Sequence, residues 1–151
     1  MQVTIFKNVF DKKSPHHIPL QTALQRIQEG KSSALVSEVR DGDKTKKQKL
    51  PVVCFSGEFS SRSDDALFEH SGFIVLDFDH VDVEATKRAL ATDDFIHSCW
   101  TSPSGNGVKA LVKITNPERH RDHFRALIKY FERTHGLELD ESGINESRAC
   151  F

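Results

Sequence analysis

Gly72-Phe-Ile-Val-Leu-Asp-Phe-Asp79 alternates two kinds of surface along one extended segment. Successive side chains of a strand point to opposite faces, so Ile74, Leu76 and Phe78 share one side and Phe73, Val75, Asp77 and Asp79 the other. The first side is wholly apolar and suits a layer of helices. The second ends in two carboxylates about 6 to 7 Å apart along the backbone, close enough for their oxygens to converge on divalent cations. Such a pair repels itself when nothing neutralises it. Phosphoryl transfer makes use of such a pair, because two metal ions about 4 Å apart can activate an attacking oxygen and neutralise charge on a triphosphate. A strand that simply ends in a solvated Asp-x-Asp turn is the plainer reading, and the segment alone leaves both open.

Outward from this strand, periodicity sets an order of elements. Residues 83–91 read as a short helix capped by Asp82, and 95–101 and 108–114 read as strands. Asn116-Pro-Glu118 opens a long helix whose stripe of Phe124, Leu127, Ile128 and Phe131 ends near Gly136. A last strand is expected within 137–140 or 148–151. That order is β-α-β-β-α-β, the split βαβ arrangement, in which an antiparallel sheet carries both helices on one face and leaves the other open. Upstream, 2–10 reads as a strand and Pro19 to Gly30 as a helix with Leu20, Leu24 and Ile27 at helical spacing. Arg40 to Lys49 joins a turn signal to Lys44, Lys46, Lys47 and Lys49 without periodic apolar positions, and reads as a basic, mobile loop. Leu50 to Phe55 resumes as a strand, and Ser56 to Ser63 is too rich in serine and glycine for regular structure.

The expected fold class is therefore α+β, a single domain over 1–151. Within it, 1–47 form an N-terminal β-α unit with the basic loop, and 48–151 form the core. The chain stops at Phe151 inside an expected strand, which makes a piece of a longer protein one expectation.

Hydrophobic residues are 37% and charged residues 28%, a globular balance that excludes an intrinsically disordered chain. Net charge is −1, so no global field marks a nucleic-acid binder, and any DNA contact must come from a local patch such as the four lysines of 44–49. The first ten residues lack the basic start and apolar core of a signal peptide, and no apolar run approaches membrane-spanning length. A cytoplasmic protein without membrane contact is expected. Cys54, Cys99 and Cys150 are odd in number and have no CxxC spacing, which argues for reduced thiols over a disulfide framework or zinc ribbon. His120 and His123 could share a helix face, but surface or half-buried helix histidines account for them without a metal.

Two further stretches bear on the aspartates. Trp100-Thr-Ser-Pro-Ser-Gly-Asn-Gly-Val-Lys109 lies between two strands, where Gly105 and Gly107 permit close backbone approach, Ser102 and Ser104 offer hydroxyls, and Lys109 supplies charge. It is a candidate phosphate cradle, or an ordinary Ser/Gly hairpin turn. It is not a Walker A loop, since GxxxxGK[ST] is absent. Val108, Ala110, Val112 and Ile114 form one apolar face of the following strand, which turns Lys109 toward the side occupied by the aspartates. Downstream, Asp140 could complete a metal site and Arg148 could set a bidentate guanidinium on phosphate, although a loop aspartate and a structural arginine fit the same residues.

Together, Leu76-Asp-Phe-Asp79, Ser102-Pro-Ser-Gly-Asn-Gly-Val-Lys109 and Leu139-Asp140 with Arg148 resemble the three ordered motifs of the archaeo-eukaryotic primase superfamily. The nearer likeness is to the VirE N-terminal domain family of mobile-element and phage-like replication proteins. It covers roughly residues 48–151, including Leu50-Pro-Val-Val-Cys-Phe-Ser-Gly57. The resemblance implies an RRM-like primase-polymerase palm with Mg²⁺ or Mn²⁺ on Asp77, Asp79 and Asp140 as the catalytic carboxylates. It also implies NTP or dNTP phosphates near Ser102, Ser104, Gly105, Gly107, Lys109 and Arg148, hence metal-dependent nucleotidyl transfer on DNA beside a helicase-like domain or partner. One departure is that Lys109 stands where primases of this superfamily usually carry histidine. A catalytically degenerate module, docking DNA or a replication partner through the open face or the lysines of 44–49, is the alternative.

Overall fold

The structure, a computed structural model, describes residues 1–151. In chain order the strands are β1 Gln2–Phe6, β2 His16–Pro19, β3 Val52–Cys54, β4 Gly57–Phe59, β5 Leu67–His70, β6 Phe73–Phe78, β7 Ile96–Thr101 and β8 Val108–Lys113. The α-helices are α1 Leu20–Gln28, α2 Ser33–Arg40, α3 Val83–Ala91 and α4 His120–His135. Three small antiparallel sheets result, ordered β2-β1-β3, β4-β5 and β6-β8-β7, and the protein is α+β. No helix is long and apolar enough to cross a membrane.

The β6-β8-β7 sheet grows from the alternation of its strands. Ile74, Leu76 and Phe78 of β6 and Val108, Ala110 and Val112 of β8 all point to one side, where they pack with Leu90 of α3 and Phe124, Leu127 and Phe131 of α4. Burying each large apolar side chain contributes roughly 1.5–3 kcal/mol, so this face holds the two helices in place. Asp82 caps α3 by accepting from the Ala85 N–H, as its position before the apolar run predicts. Gly136 ends α4 in the left-handed conformation at φ 64°. The expected start of that helix at Asn116-Pro117 is a 3₁₀ turn, Pro117–Arg119, and regular α-helix begins at His120.

Five expectations are corrected. The first concerns the face expected to be open, which is largely covered. Phe73, Val75 and Leu111 on that side pack with Val3, Leu20, Ala23, Val53, Phe55 and Cys150, so the β1–β3 sheet and α1 form a second layer over it. Three large apolar residues on one sheet face demand such a cover. The second concerns the last strand. Residues 137–140 are not a strand, and Cys150 makes a single bridge to Val53. Asp140 instead accepts from the Ser142 N–H and starts a 3₁₀ turn, Glu141–Ile144, which diverts the chain after one backbone bond from the Asp140 N–H to the Asp77 carbonyl. The sheet thus keeps the split βαβ order of its first three strands and lacks the fourth.

The third concerns the lysine-rich stretch, which is not an irregular loop. α2 runs to Arg40, and Lys44–Lys49 is a 3₁₀ helix on which Asp43 accepts from the Thr45 N–H and Lys46 pairs with Glu38 at 2.7 Å. The fourth concerns the Ser/Gly-rich stretch after Phe55, which contains β4. The buried Thr4 hydroxyl donates to the Gly57 carbonyl and accepts from the Phe59 N–H, fastening β4 to the first sheet. The first strand is also shorter than expected and stops at Phe6.

Candidate functional site

Strand register builds the site. Asp77 of β6 lies directly opposite Lys109 of β8, and Lys109 lies directly opposite Trp100 of β7. Residues paired in this way share a face, so Asp77, Lys109 and Trp100 form one row across the sheet. It is the row next to the covered apolar one. Lys109 is only 4% exposed, and its ammonium donates to Asp77 Oδ2. Burial would lower the Lys109 pKa, but the neighbouring Cys150 and the Asp77 carboxylate outweigh it and the net shift is upward. Burial pushes the adjoining Cys150 thiol up to about 11, so its charge acts on Lys109 only at high pH, and at ordinary pH the Asp77 carboxylate alone holds the ammonium.

The other carboxylates are brought in by turns. Asp79 follows β6 into a tight turn in which His80 adopts φ 54°, an uncommon conformation for a side-chain-bearing residue. Asp140 is delivered by the backbone bond from its N–H to the Asp77 carbonyl, at 3.0 Å. Oxygens of Asp77, Asp79 and Asp140 all lie within 4.8 Å of one another. Arg148 bridges two of them, at 2.6 Å from Asp140 Oδ2 and 3.8 Å from Asp77 Oδ2. Partial burial works to raise the Asp140 pKa. Hydrogen bonds from Ser142 and the charges of Arg148 and Lys109 prevail and hold its carboxyl below the usual range. Asp77 Oδ1, by contrast, is sealed from solvent and has no hydrogen-bond partner.

The turn between β7 and β8 packs beside these groups. The Ser102 N–H donates to the Gly107 carbonyl and the Gly105 N–H to the Ser102 carbonyl. The Val81 N–H donates to the Asn106 carbonyl, which locks this turn to the one carrying Asp79. Gly107 must be glycine, since a Cβ there would come 2.8 Å from the Phe78 carbonyl and 3.4 Å from Asp79 Oδ1. Ser102 and Gly107 are buried, whereas Ser104 and Gly105 are exposed. Of the expected cradle, only Ser104 and Gly105 therefore stand free to meet a ligand without rearrangement.

The lysines of the 3₁₀ helix stand apart from the carboxylates. Lys46 is held by Glu38, Lys47 lies 5.4 Å over the Phe151 ring, and Lys44 and Lys49 are exposed. None pairs with the three aspartates. His120 contacts a histidine from another element: His70 Nε2 and His120 Nδ1 are 2.9 Å apart. Sequence reasoning missed Arg40, whose guanidinium donates to the Ser102 carbonyl at 3.3 Å and whose Nε lies 3.3 Å from where a Cβ on Gly105 would sit. Nothing in its local sequence signals this reach, because the contact joins residues 62 positions apart.

The oxygen-only donor set, with one sealed and unpartnered oxygen on Asp77, fits a hard divalent cation such as Mg²⁺ or Mn²⁺. Lys109 and Arg148 oppose it, since both already lend positive charge to the same carboxylates. Two cations against three carboxylates leave the cluster with a residual negative charge that a metal could satisfy.

Among protein families, the model described as "BT4734-like, N-terminal domain" matches residues 45–151. This corrects the family expected from the motifs: the matching family is not named VirE N-terminal, and nothing found places the chain in the primase superfamily. No curated protein and no solved structure matches the chain.

Proposed function

The chain belongs to the BT4734-like, N-terminal domain family, whose name states no chemistry, and from the site itself we propose a metal-dependent nucleotide-binding domain of the nucleotidyl-transfer type. The observation that carries the proposal is the convergence of Asp77, Asp79 and Asp140 within 4.8 Å beside two buried or half-buried cations. In this reading the three carboxylates hold Mg²⁺ or Mn²⁺, and the β6-α3-β7-β8-α4 unit serves as a palm. Bound there, a divalent ion would neutralise phosphate charge and polarise an attacking hydroxyl. Lys109 and Arg148 then turn from the carboxylates toward phosphate oxygens of an NTP or dNTP, with Ser104 and the Gly105 backbone at the rim.

The expected test is incubation of the full chain with a primed DNA template, labelled nucleotide and Mn²⁺. Label incorporation that Asp140→Asn abolishes supports transfer. Binding without incorporation restricts the function to nucleotide recognition. The Lys109–Asp77 ion pair favours a second, degenerate reading, because it occupies one oxygen of the central carboxylate. There the domain docks DNA through Lys44 and Lys49, binding weakens steeply with salt, and Asp77→Asn leaves it unchanged.

A further inference from the structure

Between the N-terminal layer and the carboxylate-bearing sheet lies a cavity of about 300 Å³. Ile27 of α1 and Val36 of α2 wall one side, Val53 and Phe55 another, and Trp100 a third. This volume is at the lower end of small-molecule sites, suited to a base and its sugar and too small for a folded segment of a partner. Its position is tied to the site by strand register. Trp100 faces Lys109, which faces Asp77, so two strand spacings, roughly 10 Å, separate the aromatic wall from the central carboxylate on the same sheet face. Arg40 lines the cavity and hydrogen-bonds the Ser102 carbonyl, so the rim of the cavity is also the turn beside Asp79.

The wall chemistry suits a planar, weakly polar ring. Trp100 is part exposed while its Nε1 is sealed, so the surface it offers is ring carbon. Arg26, Lys31 and Arg40 add positive charge around the opening. We propose that this cavity receives the nucleoside part of the nucleotide whose phosphates lie at Lys109 and Arg148, an inference that rests on the nucleotide reading above. Much of its wall comes from residues 5–40, upstream of the segment that matches the family. Base recognition is thus a contribution of the N-terminal layer, added to a phosphate site that belongs to the family segment.

Trp100 is the only tryptophan in the chain, which makes the cavity directly observable. The experiment compares Mg²⁺-nucleoside triphosphates with Mg²⁺-tripolyphosphate on the full chain, reading heat of binding and Trp100 emission. Both ligands are expected to bind, but only the nucleotide changes Trp100 emission and shields it from acrylamide. Val36→Phe, which narrows the cavity away from the carboxylates, should weaken the nucleotide at least tenfold and leave tripolyphosphate unaffected. Equal affinities for the two ligands with a silent Trp100, or a nucleotide affinity untouched by Val36→Phe, overturn the inference while leaving the phosphate site in place. Should neither ligand bind, the nucleotide reading fails and the inference with it. If Val36→Phe does not fold, the wild-type emission comparison decides alone.

Discussion

Lys109 sits directly opposite Asp77 in the β6–β8 ladder, and its buried ammonium closes on one carboxylate oxygen while the other is left sealed and without a partner. One oxygen is neutralised from within the protein, and the second is buried without any protein donor. Removing the lysine exposes the consequence. Breaking a buried ion pair by deleting one partner typically costs about 3–5 kcal/mol, because the other charge is stranded. Lys109→Met is therefore expected to lower the melting temperature markedly in metal-free buffer, with Mn²⁺ restoring much of the loss. A melt that Mn²⁺ does not move would show that the carboxylates do not attract a divalent ion.

Arg148 separates metal binding from phosphate binding. It pairs with Asp140 and approaches Asp77 in the free protein, and under the proposed function it turns toward phosphate once a nucleotide binds. Arg148→Ala should raise Mn²⁺ affinity and lower nucleotide affinity about tenfold, near 1.4 kcal/mol. Calorimetric titrations of each ligand alone would read the opposite signs. Parallel changes would make Arg148 a structural clamp.

The turn beside Asp79 tolerates no side chain at Gly107. A Cβ 2.8 Å from the Phe78 carbonyl forces the backbone to shift, since the clashing atom cannot rotate away. Gly107→Ala is expected to cost about 1–3 kcal/mol of stability and to displace Asp79 from its neighbours. Gly105→Ala meets a different obstacle, φ +81°, and should cost about 1–2 kcal/mol without moving Asp79. Urea denaturation of both variants, with metal titration alongside, distinguishes them.

A pH dependence follows from the histidine pair. The Gly72 N–H donates to His70 Nδ1, so the His70 proton lies on Nε2 and is given to His120 Nδ1. His120 Nε2 is buried and unpartnered. Burial, with some help from His70, pushes the His120 pKa down to about 4, although Glu146 resists the shift. A folded-state value depressed below the unfolded one gives stability that is present above pH 6.5 and lost as pH falls toward 4. The loss should be on the order of 2 kcal/mol. His120→Asn removes this titration and should leave a shallower acid slope over the same interval, with the remainder from His70, whose own pKa burial also lowers; an unchanged acid slope in urea unfolding would refute the assignment.

How much of this was legible in the sequence depended on whether a contact was local. The phase of β6 and β8 followed from period-two alternation, so Asp77 and Lys109 could be set on one face without coordinates. The same alternation placed Phe73 and Val75 on the face expected to be open. Residues of that size need a cover, but β1, β3 and α1, which supply it, come from distant sequence and left no local sign of their place. α2 was hidden by its shortness and its serines, and β4 by the glycine and serines around it. The Leu137–Asp140 segment had strand-like residues but was diverted by the turn that Asp140 itself caps. Of the site, the three aspartates, Lys109 and Arg148 were visible one by one, while Arg40 and the Trp100 cavity depended wholly on tertiary packing.

Whether Asp77 belongs to a metal-dependent nucleotide site is decided by calorimetric titration of nucleoside triphosphate into wild type and Asp77→Asn, with Mg²⁺ and with chelator. Binding to wild type should require the metal and weaken at least tenfold in Asp77→Asn, with the variant still folded by circular dichroism. Metal-independent binding, or identical affinity in the two proteins, would contradict it.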